Sequence, residues 1–426
     1  MGQDHEADHR AIAVDDQGDE RYVVISADCH GGGNVLDYRP YLDPEWRDDF
    51  DAWAAEFEVP HDDLKGDRGD CNWDSARRAR DLEADGIVAE VVFPNTVPPF
   101  FPKTALTAQP PAMTRTDSER RWAGLRAHNR WLAEFCAGGR RAGVAQINLH
   151  DIDASVAEVR RIADAGITGG ILLPGTPPGL DLPQLFDPSY EPLWAVCEEL
   201  GVPVNHHTGS AAPPMGPTDV DAVVFLLEVS WWAHRALTHL ITGGVLERHP
   251  GLQLVFTEQG TAWIPDELVR LDYFFDRMGR AEGSQEAEWG RSVVGELSLR
   301  PSEYWARQCH VGASFIRRAE VELRHAVGVD KIMWGSDYPH KESSHPYSLE
   351  AMRLSFAGIP TEEVAKMLGG NAAELYGFDL DALRPLAARF GPRVADVDRP
   401  IIPGELPIEA DKCPAFAGQA FVTVDA

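Results

Sequence analysis

Short apolar segments alternate with longer segments of helical periodicity along most of the chain. Eight of the apolar segments have the length and the Val, Ile and Leu content of buried strands: residues 22–26, 87–93, 142–148, 167–173, 202–207, 252–258, 309–315 and 331–337. Parallel strands that are buried on both faces form such continuous apolar runs. Eight strand–helix units in succession favour an α/β fold, a closed (β/α)8 TIM-like barrel, over an open sheet.

Two long segments interrupt this alternation. Residues 31–70 are rich in Pro and Asp, and residues 94–117 are rich in Pro. Both are too long for ordinary connections between a strand and a helix. We expect them to be long βα loops that shape a pocket.

The longest predicted helix follows the fifth strand. It runs from about Asp221 to Arg248 and contains several bulky apolar residues. We assign Phe225, Leu227, Trp231 and Trp232 to the hydrophobic core, which is where residues of this type are most often found.

The two ends of the chain differ in composition from the predicted barrel, which occupies residues 21–380. Residues 1–20 are acidic and lack periodicity, so we expect a flexible arm. Residues 381–426 carry six prolines. We expect this C-terminal extension to wrap the barrel or to reach a partner subunit, and a homo-oligomer, a dimer, is the expected assembly.

Composition and charge narrow the class of protein. The chain has 426 residues, of which 44% are hydrophobic, so it can bury a large core. A formal net charge of −29 disfavours nucleic acids and anionic membranes as partners. The sequence shows no secretory leader and no apolar run near the ~18 residues of a membrane span. Six cysteines without a C-x-x-C spacing favour a cytoplasmic location and disfavour a zinc–thiolate site.

Polar side chains stand at the C-terminal ends of four predicted strands, the face on which such barrels carry their active sites. They are Asp28 and His30 on the first strand, His206 and His207 on the fifth, Glu258 on the sixth and Asp337 on the eighth. Taken singly, each also fits a core or loop position. Together in one cavity they would repel each other or remain unsatisfied without a cation, so we predict a divalent metal site.

Five motifs in order carry a resemblance to a known family: "SADCH", "VPVNHHTG", "HPGLQLVFTEQGTAWIP", "MWGSDYPH" and "GNAAELYGF". Over roughly residues 20–380 the chain resembles the amidohydrolase superfamily. It is most similar to the amidohydrolase-2 branch, which includes aminocarboxymuconate semialdehyde and resorcylate decarboxylases. The resemblance implies a TIM-like barrel whose catalytic metal is held by Asp28, His30, His207 and Asp337.

The family pattern P-V-x-x-H-x-G selects one of the two histidines on the fifth strand. Pro203, Val204, His207 and Gly209 satisfy it, so His207 is the expected ligand and His206 the less favoured one. Side chains of neighbouring strand residues point to opposite faces, which gives His206 a packing role.

The sequence departs from the family at three positions. The first motif has Asp28 where many members have His, and Glu258 stands where decarboxylases of this branch place a catalytic His. The fourth strand also lacks a lysine that could bridge two metals. The carboxylate of Asp28 in place of an imidazole favours manganese or iron over zinc. If two ions bind, Glu258 is the natural bridge and iron is favoured.

Three further residues are candidates for the site. His340 and Glu342 follow Asp337 closely enough to line its mouth, with solvated loop positions as the alternative. His239 on the long helix is a possible partner of the ligands or a ligand of a second ion, and a buried helix histidine is the alternative.

Two functions compete for this scaffold. In the first, one or two ions of Zn, Mn or Fe activate a water that hydrolyses, cleaves or decarboxylates a small organic acid. Asp337 then takes the proton, assisted by Glu258 or His340. The alternative is a non-haem iron monooxygenase, with one or two irons, acting on a small apolar or carboxylic substrate. A barrel that binds a ligand without metal is a third hypothesis.

Overall fold

The computed structural model describes residues 11–59, 64–102, 112, 114–280 and 282–417. The strands are β1 Ile12–Val14, β2 Glu20–Tyr22, β3 Ile25–Gly31, β4 Ala89–Pro94, β5 Arg141–Gly143, β6 Ala145–Gln146, β7 Ile171–Leu172, β8 Val204–His207, β9 Leu254–Thr257, β10 Cys309–Ser314 and β11 Ile332–Gly335.

The α-helices are α1 Arg47–Glu56, α2 Gly66–Asp70, α3 Ser75–Ala84, α4 Arg115–Phe135, α5 Ile152–Asp164, α6 Glu191–Leu200, α7 Asp219–Thr242, α8 Val245–Arg248, α9 Trp263–Arg280, α10 Gln285–Val294, α11 Pro301–Gln308, α12 Arg318–Val321, α13 Arg324–Val327, α14 Ser348–Phe356, α15 Thr361–Ala365, α16 Asn371–Tyr376, α17 Leu380–Phe390 and α18 Val394–Val397. A π-helical turn, Lys366–Gly370, connects α15 to α16. Short 3-10 helices occupy Val35–Tyr41, Pro44–Trp46, Pro188–Tyr190, Val329–Lys331, Pro403–Glu405, Ala410–Lys412 and Pro414–Phe416.

The barrel strands pair in parallel in two ladders. One has the order β3-β4-β5 and the other β6-β7-β8-β9-β10-β11. The two ladders join at Val144, because β5 and β6 are halves of one strand and the Val144 amide donates to the carbonyl of Val92. At the other seam, the Asp337 amide donates to the Asp28 carbonyl at 2.8 Å and the His30 amide to the Tyr338 carbonyl at 2.7 Å. The predicted (β/α)8 barrel is confirmed.

Alternating side chains of the strands divide the core into two parts. Ile25, Val91 and Phe93 belong to one hydrophobic cluster with Met333, whereas Val92 belongs to a second, larger cluster that reaches the surrounding helices. This is the two-residue period of a strand, which sends successive side chains to opposite faces. Buried apolar side chains on both faces explain why the barrel strands have continuous apolar sequences.

The N-terminal segment differs from the predicted flexible arm. Residues 1–10 lie outside the described residues, but β1 and β2 form an antiparallel hairpin from Ile12 to Tyr22. The turn is stabilised by the Asp15 carboxylate, which accepts from the amides of Gln17 and Asp19, and by Gly18 in a left-handed conformation. The acidic turn residues dominate the local composition and conceal two short strands.

The predicted long loop at residues 31–70 contains local structure. It includes a 3-10 helix, Val35–Tyr41, and the helices α1 and α2. Of the second predicted loop, residues 103–111 and 113 lie outside the described part of the chain. The C-terminal extension packs on its own chain, since the Tyr22 amide donates to the carbonyl of Pro392 at 3.0 Å. Its residues 418–426 also lie outside the described residues.

The long helix after the fifth barrel strand differs from its prediction in two ways. It breaks at Gly243 and Gly244 into α7 and α8, and Gly244 has a left-handed φ of 69°. Assigning Trp231 and Leu227 to the core was wrong, because Trp231 is 56% exposed and Leu227 is 76% exposed. None of the helices in the described part of the chain is long and apolar enough to cross a membrane.

Candidate metal centre

The residues selected at the strand ends meet at one rim of the barrel. Asp28 and His30 lie in β3, His207 is the last residue of β8, Glu258 follows β9, and Asp337 lies two residues beyond β11. The carboxyl ends of all barrel strands face this rim. Parallel strand order therefore brings together residues that are far apart in sequence.

The donor atoms form two overlapping groups. In the first, each of Asp28, His30, His207 and Glu258 offers one donor atom, and these atoms all lie within 4.8 Å of one another. His207 Nε2 is 3.4 Å from Asp28 Oδ1 and 3.4 Å from Glu258 Oε2. The second group consists of His30, Asp337 and His340, within the same limit. His30 is shared by the two groups.

His30 occupies the centre of the cluster. Its Nε2 atom lies 3.1 Å from Asp337 Oδ1 and 3.3 Å from Asp28 Oδ1. Both His30 Nε2 and Asp337 Oδ1 are buried and make no hydrogen bond of acceptable geometry among the described residues. Buried polar atoms are almost always paired, so these two need a partner. A divalent cation bound by oxygen and imidazole nitrogen fits this set of donors.

The electrostatics of the cluster also favour a cation. Burial opposes the ionisation of Asp28, but the His207 and His30 imidazoles outweigh it and hold the pKa of Asp28 well below its usual range. Burial likewise opposes protonation of His30, yet Asp28 and Asp337 raise its pKa to about 10. Burial first, and then the charges of Asp337 and Asp28, raise the pKa of Glu258 well above normal. The carboxyl groups of Asp28, Glu258 and Asp337 therefore lie so close together that all three ionise easily only when a positive charge is beside them.

Two of these residues adopt an unusual backbone conformation. Glu258 has φ 56° and Asp337 has φ 62°, both in the left-handed region. L-residues other than Gly enter this region at a cost, and such residues cluster at functional sites. Both stand where the chain leaves a barrel strand, and the turn directs their carboxylates to the rim.

Of the remaining predicted candidates, one lies in the cluster and three lie outside both donor groups. His340 joins the cluster: its Nδ1 is 3.0 Å from Asp337 Oδ1 and its ring lies 4.1 Å from that of His30. Glu342 is exposed and belongs to neither group. His206 is buried behind the rim with Nδ1 3.1 Å from the Leu173 carbonyl. His239, on α7, packs edge-on against the ring of Phe186 and also belongs to neither group.

Three neighbours of the cluster were missed by the sequence analysis. The Ser314 hydroxyl donates to Asp28 Oδ2, and Asn95 Oδ1 lies 3.1 Å from His340 Nε2. Asn95 follows the second barrel strand and Ser314 ends the seventh. Selecting polar residues at the C-terminal ends of all eight strands would therefore have found both. The ring of Phe93 is 4.8 Å from that of His207. Nothing in the sequence distinguishes Phe93 from the other apolar residues of its strand.

The backbone of His30 is fixed from the outer side of the barrel. Arg78 on α3 is fully buried and donates from Nη1 to the His30 carbonyl at 2.7 Å. Its charge is balanced by Glu90 on β4, at 2.6 Å, and Glu90 also pairs with Arg141. This buried ion pair positions the strand end that carries His30.

Two cavities open at the same end of the barrel. One, of about 310 Å³, is lined by His340 and by cationic side chains that include Arg68, Lys341 and Lys412. The other, of about 240 Å³, is apolar: Phe57 and Trp73 line it together with Gly33 and Thr96, which follow β3 and β4.

Comparison with known proteins agrees with this site. A family model described as amidohydrolase matches residues 77–378. The chain belongs to the amidohydrolase family. This match confirms the predicted superfamily and its class of metal-dependent hydrolases and lyases.

Named relatives of this amidohydrolase include two gamma-resorcylate decarboxylases. The one from Rhodococcus jostii (strain RHA1) is 28% identical over 273 residues, which cover 60% of this chain and 76% of that protein. The one from Rhizobium sp. (strain MTP-10005) is 25% identical over 237 residues, covering 52% and 67% of the two chains.

A solved structure supports the fold. The 5-carboxyvanillate decarboxylase from Novosphingobium aromaticivorans DSM 12444, complexed with manganese, superimposes with a TM-score of 0.62 at 19% identity. The alignment covers 87% of this amidohydrolase and 99% of that chain. At this identity the likeness establishes the barrel and leaves the activity to be argued from the site.

Proposed function

We propose that this amidohydrolase is a metal-dependent lyase that removes the carboxyl group of a small aromatic acid. The observation that carries the proposal is the cluster of Asp28, His30, His207 and Glu258, with Asp337 and His340 beside it. The decarboxylase relatives support the reaction class. A manganese-bound structural neighbour is consistent with the hard oxygen and nitrogen donors.

Asp28, His30, His207 and Glu258 would hold the ion, with Asp337 at its edge. A divalent cation bound there would supply a Lewis acid that polarises the oxygens of the substrate or lowers the pKa of a water. Loss of CO2 breaks one C–C bond and leaves its electron pair on the ring carbon. That carbon must then receive a proton.

Asp337 and His340 are the proposed proton donors. His340 Nδ1 lies 3.0 Å from Asp337 Oδ1, and its Nε2 lies 3.1 Å from Asn95 Oδ1. Burial lowers the pKa of His340, but the Asp337 carboxylate outweighs it and raises the pKa above its usual value. His340 also lines the larger cavity, so it can pass a solvent proton to Asp337.

The larger cavity suits an acidic substrate. Lys341 and Arg68 line it beside His340, in a chain whose formal net charge is −29. A local cluster of cations in an acidic protein attracts carboxylates towards the rim.

The test is turnover with defined ions. The chain, stripped of metal and reloaded with Mn²⁺, is assayed by chromatography for loss of CO2 from gamma-resorcylate, 5-carboxyvanillate and related hydroxybenzoates. Decarboxylation of an aromatic acid that requires the ion supports the proposal. Absence of turnover on a broad panel of such acids, with metal bound, contradicts it.

A second candidate is an iron-dependent monooxygenase. The observation that favours it is the number of carboxylates in the two donor groups, those of Asp28, Glu258 and Asp337, beside the imidazoles of the cluster. Carboxylate- and imidazole-rich sites are typical of non-haem iron. Two irons per chain together with oxygen uptake on addition of substrate would favour this candidate over decarboxylation. We rank it second because the relatives point to decarboxylation.

A further inference from the structure

Two buried asparagines connect His340 to the segment between α2 and α3. Asn72 lies in that segment and is fully buried, and Asn95, which follows β4, is 7% exposed. Asn95 Nδ2 donates to Asn72 Oδ1 at 2.6 Å, and Asn95 Oδ1 lies 3.1 Å from His340 Nε2. Asn72 precedes residues 77–378, the part of the chain that the family model matches. The family match therefore does not account for this connection.

The orientation of the Asn72 side-chain amide is fixed by a backbone carbonyl. Asn72 Nδ2 donates to the Gly69 carbonyl at 3.1 Å. A carbonyl oxygen only accepts hydrogen bonds, so the NH2 group of Asn72 has to face it and Oδ1 has to point the other way. The reversed amide would place two acceptors against each other in a buried space, where unpaired polar atoms are costly. The Asn72 oxygen is therefore directed at Asn95.

The Asn72 oxygen in turn orients Asn95. Because Asn72 Oδ1 can only accept, Asn95 presents its NH2 group to Asn72 and its side-chain oxygen to His340. The backbone of Asn95 is held as well, since its amide donates to the Gly31 carbonyl at 2.9 Å. The side-chain amide of Asn95 therefore has one orientation that satisfies both of these partners.

We infer that Asn72 and Asn95 are positioning residues that fix which ring nitrogen of His340 carries a hydrogen and which one serves Asp337. The acceptor Asn95 Oδ1 faces Nε2, so Nε2 keeps its hydrogen, and Nδ1, 3.0 Å from Asp337 Oδ1, is the atom that exchanges a proton with the carboxylate. In that transfer the Nδ1–H bond breaks, an O–H bond forms on Asp337, and the neutral ring keeps the hydrogen on Nε2. The inference rests on the proposed function, in which His340 and Asp337 carry the proton.

A buried asparagine elsewhere in the barrel has a different set of partners. Asn371 is 6% exposed, and its side chain donates to the carbonyls of Val329 and Ile332 at 2.8 Å and 2.7 Å. These contacts stabilise the backbone at the N-terminal end of β11, far from the rim. The side chain of Asn95 instead joins two other side chains, one of which is His340. Asn371 is therefore the matched control for the loss of a buried amide.

The test is nitrogen NMR of the full chain, labelled with ¹⁵N-histidine and loaded with Zn²⁺, a diamagnetic ion. A ring nitrogen without hydrogen resonates far downfield of one that carries hydrogen, so the spectrum shows which nitrogen of His340 is protonated. The His340 signals are identified by their absence from the spectrum of His340→Gln. The wild-type chain should show hydrogen on Nε2. Hydrogen on Nδ1 alone overturns the inference, whether or not the chain decarboxylates any acid.

Variants of Asn72 separate positioning from packing. Asn72→Leu removes the oxygen that orients Asn95, so the Asn95 amide can turn its NH2 group to His340. The Nε2 signal should then shift towards the form without hydrogen, and kcat should fall about tenfold at nearly constant KM. Asn72→Asp keeps an oxygen facing Asn95 and should retain the wild-type His340 spectrum, as should Asn371→Leu. An unchanged His340 spectrum in Asn72→Leu, or an equal change in Asn371→Leu, contradicts the inference. The wild-type spectrum decides it even if Asn72→Leu fails to fold.

Discussion

Asp337 and Glu258 show how single residues determine what the rim can do. Each has a left-handed backbone conformation, with φ of 62° and 56°, within two residues of the end of a barrel strand. A side chain in the regular strand conformation would follow the pleat, whereas the turn directs each carboxylate towards His30 or His207. The cost of such a conformation is of order 1–3 kcal/mol, which is accepted where the position has a function.

We predict that Asp337→Asn abolishes proton transfer while the chain stays folded. Asn tolerates the left-handed conformation and has the same shape as Asp, but it cannot carry the proton. The expected loss in kcat is about 100-fold or more. Turnover is measured beside circular dichroism of the same samples. If the variant retains wild-type kcat, Asp337 has no part in the chemistry.

Glu258→Gln tests whether Glu258 binds the ion. The Mn²⁺ affinity should fall by more than the roughly 10–100-fold expected for a residue that only supports a ligand. Isothermal titration or metal analysis after dialysis measures the affinity. Glu342→Gln provides the matched control, because Glu342 is an exposed carboxylate that belongs to neither donor group. Equal affinities of the two variants would rule out Glu258 as a ligand.

The residues that could be predicted from sequence are those whose position follows from topology. A parallel barrel brings strand ends together, so Asp28, His30, His207 and Asp337 could be selected without knowing any distance. Leu227 on α7 shows the limit of the same reasoning. Its apolar character favours the core, yet it is 76% exposed, because a helical pattern does not say which part of a helix packs against the barrel.

At the level of elements, the strands were easier to predict than the segments between them. Seven of the eight barrel strands overlap their predicted apolar runs along most of their length, because burial on both faces favours apolar side chains. The first, β3, starts at Ile25 and overlaps the predicted run 22–26 at residues 25 and 26. The segment at residues 31–70 connects a barrel strand to its helix as predicted, but α1 and α2 within it were not predicted, since they are short and rich in polar residues. Helices of that length depend on tertiary contacts, such as the burial of Phe50, that periodicity does not reveal.

The ion pair between Arg78 on α3 and Glu90 on β4 gives a prediction about stability. Arg78→Met should destabilise the fold by about 3–5 kcal/mol, because it leaves Glu90 buried without its nearest cation. Denaturant unfolding measures the change. Arg160→Met is the matched control, since Arg160 pairs with Glu199 on the surface, where such pairs contribute about 1 kcal/mol or less. Similar losses in both variants would contradict the structural role of Arg78.

The same contact predicts a pH dependence. Burial opposes ionisation of Glu90, but Arg78 and Arg141 outweigh it and lower its pKa below the ordinary 4.5. A lowered folded-state pKa contributes stability that is present above pH 4.5 and lost as the pH falls through the folded value. The wild-type chain should therefore lose its advantage over Glu90→Gln as the pH is lowered. A free-energy difference that stays constant from neutral to acidic pH would contradict this account.

For the whole molecule, the cation links the strands that the fold brings together. Asp28, His207, Glu258 and Asp337 come from four barrel strands, and the mutual repulsion of the three carboxylates opposes folding when no ion is bound. An ion that binds only the folded chain stabilises it by about 2.7 kcal/mol at a free concentration 100 times its Kd. Mn²⁺ should therefore raise the midpoint of thermal unfolding of the metal-free protein, and the rise should continue with concentration. Asp28→Asn should reduce this response, whereas Glu342→Gln should keep it. An unfolding midpoint that is independent of Mn²⁺ would mean that the carboxylates at the rim do not form a metal site.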